Sequence, residues 1–104
     1  VDEQTIMGLI MTAGKAKSTA FEAIKAAKKG QFELAANRLS EAENYLAKGH
    51  QLQTTALSVM ARGDSEPPSL LAVHAQDHLS MAMTTIELGR EIIDLYQKIS
   101  ENEH

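Results

Sequence analysis

Cysteine and tryptophan are absent from this 104-residue chain, which has only two prolines, two tyrosines and two phenylalanines. Without cysteine there is no disulfide, no thiol nucleophile and no thiolate metal ligand, and a reducing cytoplasmic setting is expected. So few aromatic rings leave no stacking platform for nucleic-acid bases or sugars. No apolar run approaches the roughly 18 residues needed to cross a bilayer, so no direct membrane insertion is expected, and no signal-peptide pattern opens the chain. Ten basic residues are scattered among 14 acidic ones, for a formal net charge of −4. Nucleic acid needs a basic patch and is excluded as a partner. The chain begins at Val1 without a methionine, which leaves open that a few residues have been removed or left out. Its length predicts one domain, residues 1–104, whose modest core oligomerisation would help to complete.

No segment alternates β-branched with polar residues for a useful length, and what remains is helical. From about Thr5 to Lys29, the residues Ile6, Ile10, Ala13, Ala20, Ile24 and Ala27 mark one helical face. Lys28 and Lys29 suit a last turn, and Gly30 the position just beyond it. A second helix is predicted over about Phe32–Arg62. Its seam is Phe32, Ala35, Leu39, Ala42, Leu46, Gly49, Gln53, Ala56 and Met60, alternating in threes and fours. The turn at Gly30 is short enough to make the first two helices antiparallel neighbours. Residues 63–68 read as a loop closed to helix by two prolines, and Ser69 can cap a third helix over about Leu70–Ser100. The expected fold is all-α, an up-down-up antiparallel three-helix bundle.

The third helix repeats the three-four alternation through Leu71, His74, His78, Met81, Thr85, Leu88, Ile92, Leu95 and Ile99, the spacing of a helix packed on others. A second apolar stripe, Ala75, Ala82, Ile86 and Ile93, lies roughly 100° away. Two stripes imply two kinds of neighbour, one within the chain and one from another copy, so a homo-oligomer with cyclic symmetry is expected.

Two histidines on a packing face, with Asp77 beside them, cost desolvation energy unless a partner or a function holds them. A lone core histidine is ordinarily a hydrogen-bonded structural residue, but a His-x-x-Asp-His cluster on one side of a helix points to chemistry. A neutral imidazole is a good nucleophile near neutral pH when its other nitrogen is held in the correct tautomer. The i, i+4 pair also has zinc-ligand spacing, but Gln76 and Asp77 stand where a helical zinc protease has its glutamate, and no third soft ligand is evident. Asp77 could pair with a lysine, or meet its own copies at a symmetry axis, where like carboxylates must bind a cation or hold protons. Gln53 and His50 are the other polar residues in or beside a seam, and a polar seam residue more often sets register. His104 sits in a polar tail and carries no signal. The five methionines suit a core as well as a groove.

The string Val73-His74-Ala75-Gln76-Asp77-His78-Leu79, after a proline-containing loop and before a long amphipathic helix, resembles the signature of the lactose/cellobiose/chitobiose-type IIA components of the bacterial phosphoenolpyruvate-dependent sugar phosphotransferase system. Met7-Gly8-Leu9-Ile10 with Gly14, Lys28-Lys29-Gly30-Gln31-Phe32, and His50 with Gln53-Thr54 are also similar to that family, so the resemblance spans essentially the whole chain. Ser80 departs from the methionine that many relatives carry after His-Leu.

The resemblance implies a cytoplasmic homotrimer of three-helix subunits with active histidines in clefts between chains. It implies that His74 accepts a phosphoryl group from the carrier HPr and passes it to a cysteine of a IIB component, which serves a membrane IIC permease during uptake of a β-linked disaccharide. His78 would support the site, with Gln76, Gln53 and His50 as auxiliary candidates. Asp77 from each of three subunits would hold a divalent metal ion, expected to be magnesium, and no organic cofactor is implied. Two other readings compete: a non-catalytic helical scaffold whose histidines bind a structural metal, and a signalling histidine phosphotransfer domain, whose usual His-x-Leu-Lys-Gly-like context is missing. Which disaccharide is served is not encoded here, because recognition of the sugar belongs to the membrane component.

Overall fold

The computed structural model describes residues 3–62 and 69–103, without the side chains of residues 59 and 60. Three helices account for nearly all of them: α1 (Glu3–Lys28), α2 (Phe32–Ala61) and α3 (Leu70–Asn102). No strand occurs among the described residues. The expected loop at 63–68, the side chain of Met60, Val1 and His104 lie outside them.

The two predicted boundaries are built as their residues require. Gly30 takes φ +79°, the left-handed region open to glycine. Its N–H donates to the Ala27 carbonyl at 3.0 Å and that of Gln31 donates to Ala26 at 2.9 Å. This pair of bonds satisfies the last carbonyls of α1 and turns the chain into α2. At the start of α3, the Ser69 hydroxyl accepts from the Ala72 N–H at 3.1 Å, satisfying a donor that a helix start otherwise leaves open.

Small residues dominate the interior. Ala13, Ala16, Ala20, Ala23, Ala26 and Ala27 of α1 are buried against Ala35, Ala42 and Ala56 of α2 and Ala75 and Ala82 of α3. With so little side chain between them the helices draw together, giving a rod of 60 × 18 × 17 Å. Its accessible surface is 6864 Å², against about 5700 Å² for a typical compact monomer of this mass.

The packing of α3 corrects one expectation. The stripe turned into the bundle is Ala75, Leu79, Ala82, Ile86, Gly89 and Ile93. The bulkier seam that contains His74 faces outward: Leu88 and Leu95 are each 59% exposed, Ile99 46% and Met81 42%. The inner faces of α1 and α2 are lined with alanine, so α3 approaches closely only through its own small residues. At about 100° per residue, Asp77, Met81, Leu88, Leu95 and Ile99 fall within roughly 40° of one another on the outer face. That is an unpartnered apolar stripe running the length of the helix.

Candidate functional site

His74 and His78 stand one turn apart in the first third of α3, on the edge of its buried stripe. That edge faces α1, because Gly89, roughly 20° from His78 by helical geometry, packs against Ile24 of α1. The opposite edge faces α2, where Arg90 pairs with Glu43 at 3.2 Å. Leu79, the largest fully buried side chain, anchors this turn of α3 into the core directly beside His78.

The two imidazoles touch. Their ring planes are 83° apart with centroids 4.4 Å apart, and Nε2 of His78 lies 3.0 Å from Nε2 of His74. Between two such nitrogens one ring donates its N–H and the other accepts on its lone pair. The rings therefore hold complementary tautomers, and each fixes the orientation of the other. His74 is exposed and His78 half-buried, so solvent and partner molecules reach the pair while one of its members is steadied by packing.

The other predicted site residues divide. Gln53 and Gln76 come together: the Gln53 amide donates to Oε1 of Gln76 at 2.5 Å across the α2–α3 contact. This contact lies on the α2 edge of α3, away from the histidines, and it sets the register of two helices. His50 is half-buried on α2; its carbonyl accepts from the Thr54 hydroxyl, and its ring makes no polar contact among the described residues. Asp77 is exposed on the outer stripe and forms no ion pair among the described residues.

No three His, Asp or Glu side chains gather into a metal-sized cluster among the described residues of one chain. Asp77 alone fits a hard divalent cation only where oxygen ligands from other copies join it. Two features escaped the sequence reading. Gly49 makes room for Leu79, and its place in the α2 seam was the available signal. Lys17, half-buried on α1, lines a shallow groove with Ser80, Met81, Thr84 and Thr85 of α3. Nothing in the local sequence marks that lysine.

A mutually oriented histidine pair on the accessible flank of the last helix of a three-helix bundle has the chemistry to hold and pass on a group at a ring nitrogen. The family model described as "PTS system, Lactose/Cellobiose specific IIA subunit" matches residues 4–97, and the chain belongs to that family. Over 99 residues it is 46% identical to the lichenan-specific phosphotransferase enzyme IIA component of Bacillus subtilis, covering 95% of this chain and 90% of that protein. The crystal structure of the PTS cellobiose-specific enzyme IIA from Bacillus anthracis superposes with a TM-score of 0.92 at 39% identity, covering 95% of this chain and 91% of that one. The IIA(Chitobiose) chain solved in complex with HPr, from the N,N'-diacetylchitobiose branch of the Escherichia coli phosphotransferase system, superposes with a TM-score of 0.84. It is 35% identical and covers 96% and 99% of the two chains. No helix among the described residues is long and apolar enough to cross a membrane.

Proposed function

We propose that this chain, acting as a single IIA domain, carries phosphoryl groups on Nε2 of His74, from phospho-HPr to a cysteine of a IIB component that serves a membrane IIC permease. The observation that carries the reading is the Nε2–Nε2 contact of His74 and His78 on an accessible flank of the fold. In the empty carrier His78 donates its N–H to the Nε2 lone pair of His74, which keeps the His74 proton on Nδ1. A small swing of either ring frees that lone pair.

His74 Nε2 then attacks the phosphorus of the donor phosphohistidine. The new N–P bond forms as the donor's N–P bond breaks, and the donor imidazole leaves with the bonding electron pair. His78 Nε2–H, released from its first partner, turns to a phosphoryl oxygen, where a charge-assisted hydrogen bond is stronger than the neutral one it replaces. In the second transfer a IIB thiolate attacks the same phosphorus, and His74 recovers its lone pair. Phosphoryl transfer is chiefly a matter of positioning and charge compensation. No cationic side chain among the described residues forms a hydrogen bond or ion pair with the histidines, so cationic donors come from the partner or from a neighbouring subunit.

The outward stripe of α3 supports a homotrimer assembled around the third helices, in the cytoplasm. In it three Asp77 carboxylates would converge and hold a divalent cation, with magnesium matching their hard oxygen chemistry. That ion would neutralise charge at the axis and takes no part in the transfer steps. The serviced sugar is a β-linked disaccharide. Incubating the protein with phosphoenolpyruvate, enzyme I and HPr tests the central assignment: acid-labile phosphate should appear on His74 and vanish in His74→Gln. Phosphate acceptance by that variant at the wild-type rate would refute it.

A further inference from the structure

The ring of His50 is half-buried on α2 and makes no polar contact among the described residues. Two contacts fix its level against α3. Gly49 stands opposite Leu79, where a Cβ would come within 2.8 Å of the leucine Cδ1, and Gln53 bonds to Gln76. The two helices are antiparallel, so His50, one residue past Gly49, is level with His78.

Its direction is equally well defined. Leu52 lies 3.6 Å from where a Cβ on Gly8 of α1 would stand, and Gln53 faces α3. At about 100° per residue His50 lies roughly 60° beyond Gln53 and roughly 160° from Leu52. It therefore points off the α2–α3 face of the bundle. His74 points off the other side of α3, roughly 40° from Leu88 towards α1. Within one chain α3 stands between the two rings, and they cannot meet.

Copies arranged about a cyclic axis on the outer stripe of α3 turn the α1 side of each chain to the α2 side of the next. Equivalent residues then sit at equal height. Each His78 has the neighbour's His50 at its own level, with His74 within about 6 Å along the axis. With packed helix axes about 9 Å apart, two steps meeting at about 120° lead from α3 of one chain to α2 of the next, a span of about 16 Å. Imidazoles reaching about 6 Å from each axis leave about 4 Å between them, which a phosphoryl group fills. Arg90, a cation of the same face as His50, is paired with Glu43 at 3.2 Å and stands about 18 Å along α3 from His78.

We propose that the site at His74 is completed across the subunit boundary: His50 of each copy donates a ring N–H to a phosphoryl oxygen on His74 of its neighbour. This rests on the trimeric phosphocarrier reading above and supplies a donor that one chain lacks. The bond forms only with the phosphoryl group in place, and it strengthens as charge develops on the oxygens during transfer. A single chain then has no complete site.

Rapid-quench kinetics with phospho-HPr on the full chain tests this, with sedimentation equilibrium to show the oligomer. His50→Ala should leave phosphate on His74 and slow its arrival at least about tenfold. His50→Phe, which keeps a ring without N–H groups, should do the same and serves if the alanine variant dissociates. Mixed trimers are decisive, because the His50 variant keeps the acceptor and His74→Gln keeps the donor. When the two are unfolded together in equal amounts and refolded, about half of the intact His74 chains gain a neighbour with His50. That half should regain the wild-type rate, whereas trimers of the His50 variant alone should show none of it. A wild-type rate in both His50 variants, or no fast phase in the mixed trimers, would overturn the proposal. Phosphate acceptance by His74→Gln would instead overturn the carrier reading, and a monomeric wild type the trimer, each taking the shared site with it.

Discussion

Gly49 of α2 and Leu79 of α3 occupy one volume: a Cβ built on Gly49 would come within 2.8 Å of the Leu79 Cδ1 methyl and 3.7 Å of a methyl of Leu9. The glycine is therefore the slot into which α3 inserts its largest fully buried side chain, next to His78. Gly49→Ala should raise the helix propensity of α2 by up to about 1 kcal/mol, yet overpacking costs about 1–3 kcal/mol. A net loss of about 1 kcal/mol is expected, read as a melting point lower by several degrees. Combined with Leu79→Ala, which alone should cost about 2–5 kcal/mol, the double variant should lose less than the sum. Additive losses would show that the two residues do not share the space.

The Gln53–Gln76 hydrogen bond joins two part-buried amides. Removing one leaves the other without its partner, at a cost of about 1–3 kcal/mol, whereas replacing both with residues of similar shape is far milder. Gln53→Ala should thus lower the denaturation midpoint more than Gln53→Leu/Gln76→Leu does. The reverse ranking in urea unfolding would argue that the pair does not register α2 against α3.

His78 is expected to assist transfer without accepting phosphate. His78→Ala should keep the label on His74 and slow exchange with HPr by about ten- to a hundredfold, the range of one well-placed charge-assisted donor. Rapid-quench kinetics with phospho-HPr measures this. Label found mainly on residue 78 of the wild type would reverse the two roles.

The outer stripe of α3 predicts a homotrimer at micromolar concentration, which light scattering or sedimentation measures directly. A stable monomer would leave the exposed Leu88, Leu95 and Ile99 unexplained.

Three ionised Asp77 carboxylates at such an axis repel one another, and a divalent ion is the remedy. EDTA should lower the melting point of the wild type and leave Asp77→Leu unaffected, because exchanging buried charge for hydrocarbon is often neutral or stabilising. Equal melting of the wild type with and without chelator, together with a monomeric Asp77→Leu, would dispose of the axial ion.

Much of this was legible in the residues. Gly30 and Ser69 mark helix ends by mechanisms that are local, and both do what their types require. The α2 seam was likewise readable, since Ala35, Ala42, Gly49 and Ala56 are its buried members. The orientation of α3 was not. Two apolar stripes of one helix cannot be ranked without knowing how closely its neighbours approach, and that distance is set by alanines on α1. The larger stripe drew attention as the core when it is the outer face. The histidine pair was visible as a spacing, but its Nε2–Nε2 contact depends on rotamers, and the groove at Lys17 depends on how α1 and α3 lie together.

The contact between His74 and His78 also imposes a rule of occupancy. Two imidazole nitrogens 3.0 Å apart can share one hydrogen and no more, since a second would set two donors against each other. With His78 as the donor and His74 as the carrier, as proposed, the lone pair of His74 would be engaged either by its neighbour's hydrogen or by phosphorus, never by both. The empty carrier would then keep its nucleophile occupied and give it up most readily to an incoming group that offers His78 a better acceptor than nitrogen. A phosphoryl oxygen is such an acceptor and water is a poor one. On that reading the resting site would be a latch whose key is the charge on the cargo itself.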